Sequence, residues 1–232
     1  MASEISVAAA DGEQFLVYLA GDAPPRRPAI ILFSPIFGAD AGIRRIADRW
    51  AKRGYLVAVP DYFFRILPGV LDRSESGRKQ AMDRWKQLDV AVTIDDMRAL
   101  KQALLSNPHC NGKLGSLGYC AGGELAFLTA TRLGAEAVAG FHGTRIDRHL
   151  SEIGRIAGRM TLHFGGNDNL VPLSQVDAIK SAVASNAQVD IAVYDGAGHG
   201  FSFHGQPSYH AEAESHSDER AQTVLGTLKT AA

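Results

Sequence analysis

The hydrophobic pattern alternates between two kinds of segment along the chain. Short, nearly continuous apolar runs bounded by Pro and Gly are typical of strands that are buried on both faces of a parallel sheet. Longer stretches between them carry apolar residues every three or four positions, which predicts amphipathic helices. Because the two kinds alternate, the pattern predicts an α/β fold with a mostly parallel sheet of about eight strands and helices on both faces.

The chain opens with two strand-like segments, 4–9 and 15–20, and the Asp11-Gly12 pair between them predicts a β-hairpin. Further strands are predicted at 29–34, 55–59, 113–119, 137–141, 160–164 and 189–194. Helices are predicted at 43–52, 90–105, 124–133, 174–184 and 209–228. The stretch 62–76 shows no clear period, so we expect an irregular loop that borders a binding pocket.

The segment Gly118-Tyr119-Cys120-Ala121-Gly122 lies between a predicted strand and a predicted helix. Gly-x-nucleophile-x-Gly in this context is the pattern of a nucleophile elbow, a sharp turn that exposes its central side chain. A thiol at a helix N-terminus lies near unpaired N–H groups that favour the reactive thiolate. The alternative is a glycine-rich turn around a buried, inert cysteine. Cys110 lies in a separate turn, where we expect an ordinary thiol.

A nucleophilic thiol needs a base and a group that orients the base, and in an elbow fold they follow in the order nucleophile, acid, histidine. Asp168 lies on the loop after a later strand, and His199 lies between glycines after the last strand. Asp190 and Asp195 are competing candidates for the acid. The sequence therefore predicts Cys120, His199 and Asp168 as the catalytic residues.

Most of the other histidines fall within strands, turns or the polar C-terminal stretch, in spacings that resemble no metal site. His142 differs, because it ends a strand, and the carboxyl ends of parallel strands line the ligand crevice. We take His142 as a candidate substrate contact. No metal site is predicted.

Composition sets the outer limits on function. A chain of 232 residues that is 46% hydrophobic buries enough core to fold as a single domain, 1–232, without disulfides or metal. A net charge of −1 gives no basic surface for nucleic acid or anionic membranes. Two cysteines and an N-terminus without a secretory signal indicate a cytoplasmic protein whose partner is a small molecule.

Several segments together resemble the dienelactone hydrolase (carboxymethylenebutenolidase) family of the α/β-hydrolase superfamily. They are Gly118–Gly123, Ile36-Phe37-Gly38, Pro60-Asp61, Gly165–Asp168 and Gly196–Phe201. The resemblance implies an α/β-hydrolase fold with a Cys-His-Asp triad and an oxyanion hole formed by the backbone N–H groups of Ile36 and Ala121. It also implies a substrate pocket, with Arg78 binding a substrate carboxylate. The other candidate pocket residues are Phe37, Met82, Trp85 and Phe203, besides His142.

The chain also departs from the family pattern. The family glutamate that helps to activate the thiol is replaced by Pro35, which has no ionisable group. Phe203 stands at the position of a second carboxylate-binding arginine, and Met82 at that of a pocket tyrosine. We therefore expect a pocket that is more apolar and less cationic than the family's.

These observations predict a hydrolase of small esters or lactones that needs no cofactor and is a monomer or a small homo-oligomer. The alternative, suggested by Pro35, is a non-catalytic binding protein or thiol-redox protein that retains the fold.

Overall fold

The structure is a computed structural model that describes residues 2–229. Its strands are β1 (Ala2–Ala8), β2 (Gln14–Ala20), β3 (Arg27–Phe33), β4 (Leu56–Pro60), β5 (Cys110–Tyr119), β6 (Ala137–Phe141), β7 (Arg159–Gly165) and β8 (Val189–Tyr194). Its α-helices are α1 (Ala41–Lys52), α2 (Glu75–Lys86), α3 (Val90–Ser106), α4 (Ala121–Arg132), α5 (Leu173–Val183) and α6 (Ala211–Gly226). Two 3₁₀ segments lie at Ile146–Arg155 and Thr227–Lys229.

The predicted sheet is confirmed. The strands follow one another in the order β1-β2-β4-β3-β5-β6-β7-β8, with β1, β2 and β4 paired antiparallel and the other described pairs parallel. Strands β6 and β8 have the predicted bounds. The chain groups into two compact units, residues up to Leu114 and residues from Gly115. A single domain over 1–232 stays a prediction.

In the first unit, the predicted hairpin forms between β1 and β2, and β2 also pairs with β4. Strands β3 and β4 are parallel, and all of their apolar residues are buried, as expected for strands covered on both faces. Helix α1 begins at the N-cap Asp40, whose side chain accepts from Ile43 N, and buries Ile43, Ala47 and Trp50. This unit therefore has an apolar core of its own.

The segment that carries Ile36 and Phe37 is held by a buried arginine of α2. Arg84 is 1% exposed and donates to the Ile36 carbonyl oxygen from Nε at 2.9 Å and from Nη2 at 2.6 Å. Its Nη1 donates to the carbonyl oxygens of Leu67 and Gly69 at 2.8 and 2.9 Å. The guanidinium carbon lies 4.1 Å from the centroid of the Phe63 ring. One side chain thus connects residue 36 with the irregular loop that follows β4.

In the second unit, strands β5, β6, β7 and β8 are parallel. Helix α4 packs against β6, and α6 packs against β6 and β7. Helix α4 is buried along nearly its whole length, since all of its residues from Ala121 to Thr131 are buried. A helix without a solvent face is rigidly held, and its N-terminus lies at the carboxyl end of β5.

Two elements were not predicted from the sequence. Helix α2 falls in a stretch to which no helix was assigned, because its buried face consists of Gly77, Ala81 and Arg84 rather than of large apolar residues. The 3₁₀ segment Ile146–Arg155 was also missed, because its geometry breaks at His149 and no α-helical period extends through it. No helix within residues 2–229 combines the length and apolar character needed to cross a membrane.

The contacts of Arg84 predict a stability effect. Replacing Arg84 by Ala removes four hydrogen bonds and a buried side chain, so we expect the free energy of unfolding to fall by about 2–4 kcal/mol in urea denaturation. Lys86→Ala, on the exposed face of the same helix, is the matched control and should change it by less than about 0.5 kcal/mol. Equal effects of the two substitutions would contradict a bracing role for Arg84.

Candidate active site

Cys120 lies at the sharp turn between β5 and α4. It is the N-cap residue of α4, with φ 56° and ψ −119°, a conformation that non-glycine residues rarely adopt. Three backbone hydrogen bonds hold it there. Its N–H donates to the Phe141 carbonyl oxygen at 3.1 Å, and its own carbonyl oxygen accepts from Gly123 N at 2.9 Å and Thr144 N at 3.1 Å. A strained residue that is held this firmly is typical of a functional site.

Glycines make this turn possible through close backbone approach. A Cβ at Gly118 would lie 2.2 Å from the Gly122 carbonyl oxygen. A Cβ at Gly123 would lie 2.4 Å from the Cα of Gly143, on the segment after β6. Larger residues at these two positions would push α4 away from β5 and β6, so the glycines allow the tight geometry around Cys120.

Two loops at the carboxyl ends of β7 and β8 bring Asp168 and His199 together. Asn167 N donates to the Ala197 carbonyl oxygen at 2.9 Å, and Gly166 N donates to the Tyr194 carbonyl oxygen at 2.8 Å. His199 Nδ1 then lies 2.8 Å from Asp168 Oδ2. The backbone contacts between the loops therefore fix the distance between the two side chains.

Asp168 is a buried carboxylate whose two oxygens both have partners. Asp168 is 5% exposed, and its Oδ1 accepts hydrogen bonds from Leu170 N at 2.8 Å and from Val171 N at 3.0 Å. Both carboxylate oxygens thus have donors, which offsets the cost of burying the charge. The two competing acids lie elsewhere: Asp190 pairs with Arg220 at 2.6 Å, and Asp195 is exposed.

The electrostatics of His199 couple it to both of its neighbours. Burial lowers the pKa of His199, but the hydrogen bond with Asp168 and then the interactions with Cys120 outweigh burial and raise the pKa to about 10. His199 Nε2 is buried and makes no hydrogen bond of good geometry with any described residue. Cys120 is therefore near but not aligned with Nε2, and catalytic hydrogen bonds often tighten only when substrate binds.

His142 and Phe203 lie beside His199. His142 is wholly buried, so contact with a substrate stays a prediction that requires the ring to become accessible. Phe203 is partly exposed, and its ring centroid lies 5.6 Å from that of Tyr119 and 5.2 Å from that of His142. Phe203 thus offers apolar surface next to the residues that flank Cys120 and His199.

Ala121 is the first residue of α4, so its N–H has no carbonyl acceptor within the helix. A free N–H next to the nucleophile is the usual donor for a developing oxyanion. Glu124 lies one turn further along α4. Glu124 is 2% exposed, and its Oε1 lies 2.8 Å from His149 Nε2.

The other predicted residues lie in the first unit. Ile36 is partly exposed, and Arg84 holds its carbonyl oxygen. Phe37 is buried, with the guanidinium carbons of Arg73 and Arg78 at 4.3 and 6.0 Å from its ring centroid. Arg78 is exposed and has no carboxylate partner within the described part of the chain. Met82 is 37% exposed, and Trp85 is half-buried.

Known proteins resemble this chain along nearly its whole length. The sequence profile of the "Dienelactone hydrolase family" matches residues 15–229. The chain belongs to the dienelactone hydrolase family. A carboxymethylenebutenolidase of Pseudomonas putida is 30% identical over 228 residues, which cover 97% of each chain.

Solved structures agree on the fold of this dienelactone hydrolase family member. The structure of a putative dienelactone hydrolase from Klebsiella pneumoniae superimposes with a TM-score of 0.85 at 22% identity, covering 97% of this chain and 98% of that one. A thermophilic esterase from Thermogutta terrifontis with propionate bound gives a TM-score of 0.68 at 19% identity and covers 100% and 97%. The predicted family, α/β-hydrolase fold and class of ester or lactone hydrolase are confirmed.

Some residues around this hydrolase site were not found from the sequence. Ser202 bonds His142, and nothing in its local pattern indicates that contact. Arg84 carried a weak signal, since it falls on the same helical face as Gly77 and Ala81, a spacing that places it inward. Within residues 2–229, no group of three or more His, Cys, Asp or Glu side chains is arranged to hold a metal ion.

The hydrogen bond between Asp168 and His199 predicts the effect of removing the charge of the acid. Asp168→Asn should lower kcat by about 10³- to 10⁴-fold with the fold intact, because the amide favours the wrong tautomer of His199 and does not stabilise its charged form. Steady-state kinetics with an activated ester measure this change. Asp190→Asn and Asp195→Asn are matched controls that should stay within about twofold of wild type, and a larger loss in either one than in Asp168→Asn would refute the assignment.

Proposed function

We propose that this dienelactone hydrolase family member cleaves small esters or lactones through a thioester on Cys120. The observation that carries the proposal is the 2.8 Å contact between His199 Nδ1 and buried Asp168, next to a thiol at a strained helix N-terminus. Asp168 fixes the tautomer of His199 and leaves Nε2 as the atom that exchanges protons. Two findings support the substrate class: the chain belongs to the dienelactone hydrolase family, and its Pseudomonas putida relative is named carboxymethylenebutenolidase.

In the proposed reaction, Nε2 of His199 takes the thiol proton and the Cys120 sulfur attacks the carbonyl carbon. The tetrahedral intermediate collapses to a thioester as the C–O bond breaks, and the leaving alkoxide takes the proton from His199. Water then attacks the thioester while His199 accepts its proton. Expulsion of the Cys120 thiolate releases the acid, and the return of the proton from His199 to the sulfur completes the cycle.

Backbone donors stabilise the oxyanion in this proposal. The unpaired N–H of Ala121 supports this role, and the family resemblance assigns the second donor to Ile36, whose carbonyl oxygen Arg84 holds in place. One such donor contributes about 3–4 kcal/mol to transition-state stabilisation in other hydrolases. The N–H groups act without any cofactor.

Arg78 is the proposed contact for a negatively charged substrate. Its guanidinium bonds only a backbone oxygen, that of Arg73, at 3.0 Å, so its charge is available to an anion. Arg65 is paired with Asp11, Glu13 and Asp96, and Arg73 is paired with Asp40. Phe203 and Met82 add apolar surface instead of a second cation, which favours neutral substrates.

The nucleophile is tested by selective alkylation. Limiting iodoacetamide should modify Cys120 at least about tenfold faster than Cys110, because Cys120 is partly exposed beside His199 whereas Cys110 is 0% exposed. Peptide mass spectrometry locates the label, and the loss of ester turnover should follow labelling of Cys120. Cys120→Ala supplies the background rate. Full activity in Cys120→Ala would refute the thioester mechanism, and no turnover of any ester or lactone above that background would favour the binding-protein alternative.

Substrate charge is tested with a carboxylated lactone and its methyl ester. A hydrogen bond to a charged group contributes about 1.5–3 kcal/mol, so one missing arginine contact should lower kcat/KM for the free acid by about 10- to 150-fold. We expect wild type to prefer the neutral ester and Phe203→Arg to shift the preference toward the acid. Arg78→Ala should lower kcat/KM for the acid but not for the ester. Phe203→Leu is the control for ring removal. A strong wild-type preference for the free acid would contradict this view of the pocket.

A further inference from the structure

His142 is a buried polar side chain that the proposed reaction does not use. It follows β6 with a φ of 41°, and its backbone N–H donates to the His163 carbonyl oxygen at 2.7 Å. Its Nε2 lies 3.0 Å from Ser202 Oγ. Its Nδ1 is buried and has no hydrogen-bond partner among the described residues. A left-handed backbone and a half-satisfied ring both carry a cost, which suggests that the imidazole has a use at this position.

The ring of His142 packs directly on the ring of His199. Their centroids are 4.8 Å apart with an interplanar angle of 66°, an edge-to-face contact. Phe201 and Phe203 pack around the same ring at 5.4 and 5.2 Å. His142 therefore fills the space beside the imidazole of His199. It also contacts Phe201 and Phe203, which follow His199 in the chain.

His199 needs such support because its own attachment is weak. It lies between Gly198 and Gly200 on a loop, and the bond from Nδ1 to Asp168 is its only side-chain hydrogen bond of good geometry to any residue within 2–229. A single bond at Nδ1 leaves the ring free to tilt about that contact, which would move Nε2. The bond between His142 and Ser202 holds the same loop three residues further on.

His142 also stays uncharged next to a histidine that becomes charged. Burial first, and then the charge of His199, lower the pKa of His142 well below its usual range. A neutral ring supports the imidazolium of His199 without repelling it. Phe201, Phe203, Tyr119 and Ser202, which also face His142, carry no charge.

We propose that His142 is a positioning residue: its ring, which is bonded to Ser202, limits the tilt of His199 and keeps Nε2 close to Cys120. This inference rests on the proposed thioester mechanism. Since a displacement of about 1 Å at a reacting group costs about 100-fold in rate, a modest tilt of His199 has a measurable effect.

The test compares four variants, with active sites counted by stoichiometric alkylation of Cys120. His142→Phe keeps a ring but removes the bond to Ser202, and Ser202→Ala removes the partner alone. We expect kcat for an activated ester to fall by about 10- to 100-fold in His142→Phe and by about 3- to 10-fold in Ser202→Ala, with KM within about twofold. The double variant should be no slower than His142→Phe, because both changes remove one contact. His142→Gln, which retains a donor, should recover part of the rate.

Tyr194→Phe is the matched control. It removes the 3.0 Å hydrogen bond to His163, another buried histidine of the second unit, and should leave kcat within about twofold of wild type. If His142→Phe does not fold, Ser202→Ala and the control decide the question.

Three results would overturn the proposal: an unchanged kcat in both His142→Phe and Ser202→Ala, a raised KM with unchanged kcat, or an equal loss in Tyr194→Phe. The second of these would make His142 a substrate contact. In each case, an inactive Cys120→Ala variant would leave the thioester mechanism standing, whereas an active one would remove the mechanism itself.

Discussion

The hydrogen bond between Asp168 and His199 is the contact on which the proposed chemistry of this protein depends. It joins loops after two neighbouring parallel strands, β7 and β8, so the sheet itself sets its length. The other oxygen of the buried carboxylate is satisfied, because Leu170 N and Val171 N both donate to it. Burial alone would keep His199 neutral. The pKa is instead raised to about 10, because the hydrogen bond with Asp168 and the interactions with Cys120 outweigh desolvation.

The strain at Cys120 complements this contact. A non-glycine residue in a left-handed conformation costs about 1–3 kcal/mol, and it persists because three backbone hydrogen bonds and the close approach of Gly118 and Gly123 leave no alternative path for the chain. The same hydrogen bonds connect Cys120 to Phe141 and Thr144, which flank His142 in the chain. The segment after β6 thus contacts both Cys120 and, through His142, His199.

Elements with strong hydrophobic patterns were predictable, and contacts set by tertiary packing were not. Strand β6 has its predicted bounds because every residue in it is apolar or small and buried. Helix α2 was missed since its inward face ends in a cation, Arg84. At the site, the order of the segments along the chain predicted that Asp168 and His199 lie together, because parallel strands bring successive loops to one edge of the sheet. It gave no information about Ser202 or about the burial of Glu124, since both depend on partners distant in sequence.

Two of the buried ionisable side chains, Arg84 and Glu124, show how differently such groups are stabilised. Arg84 in the first unit is surrounded by carbonyl oxygens, so it acts as a brace for backbone rather than as a free cation. Glu124 in the second unit bonds His149 through one oxygen, and its Oε2 has no hydrogen-bond partner among residues 2–229. An unsatisfied carboxylate oxygen near a helix N-terminus costs less than elsewhere, because the positive end of the helix dipole partly compensates it.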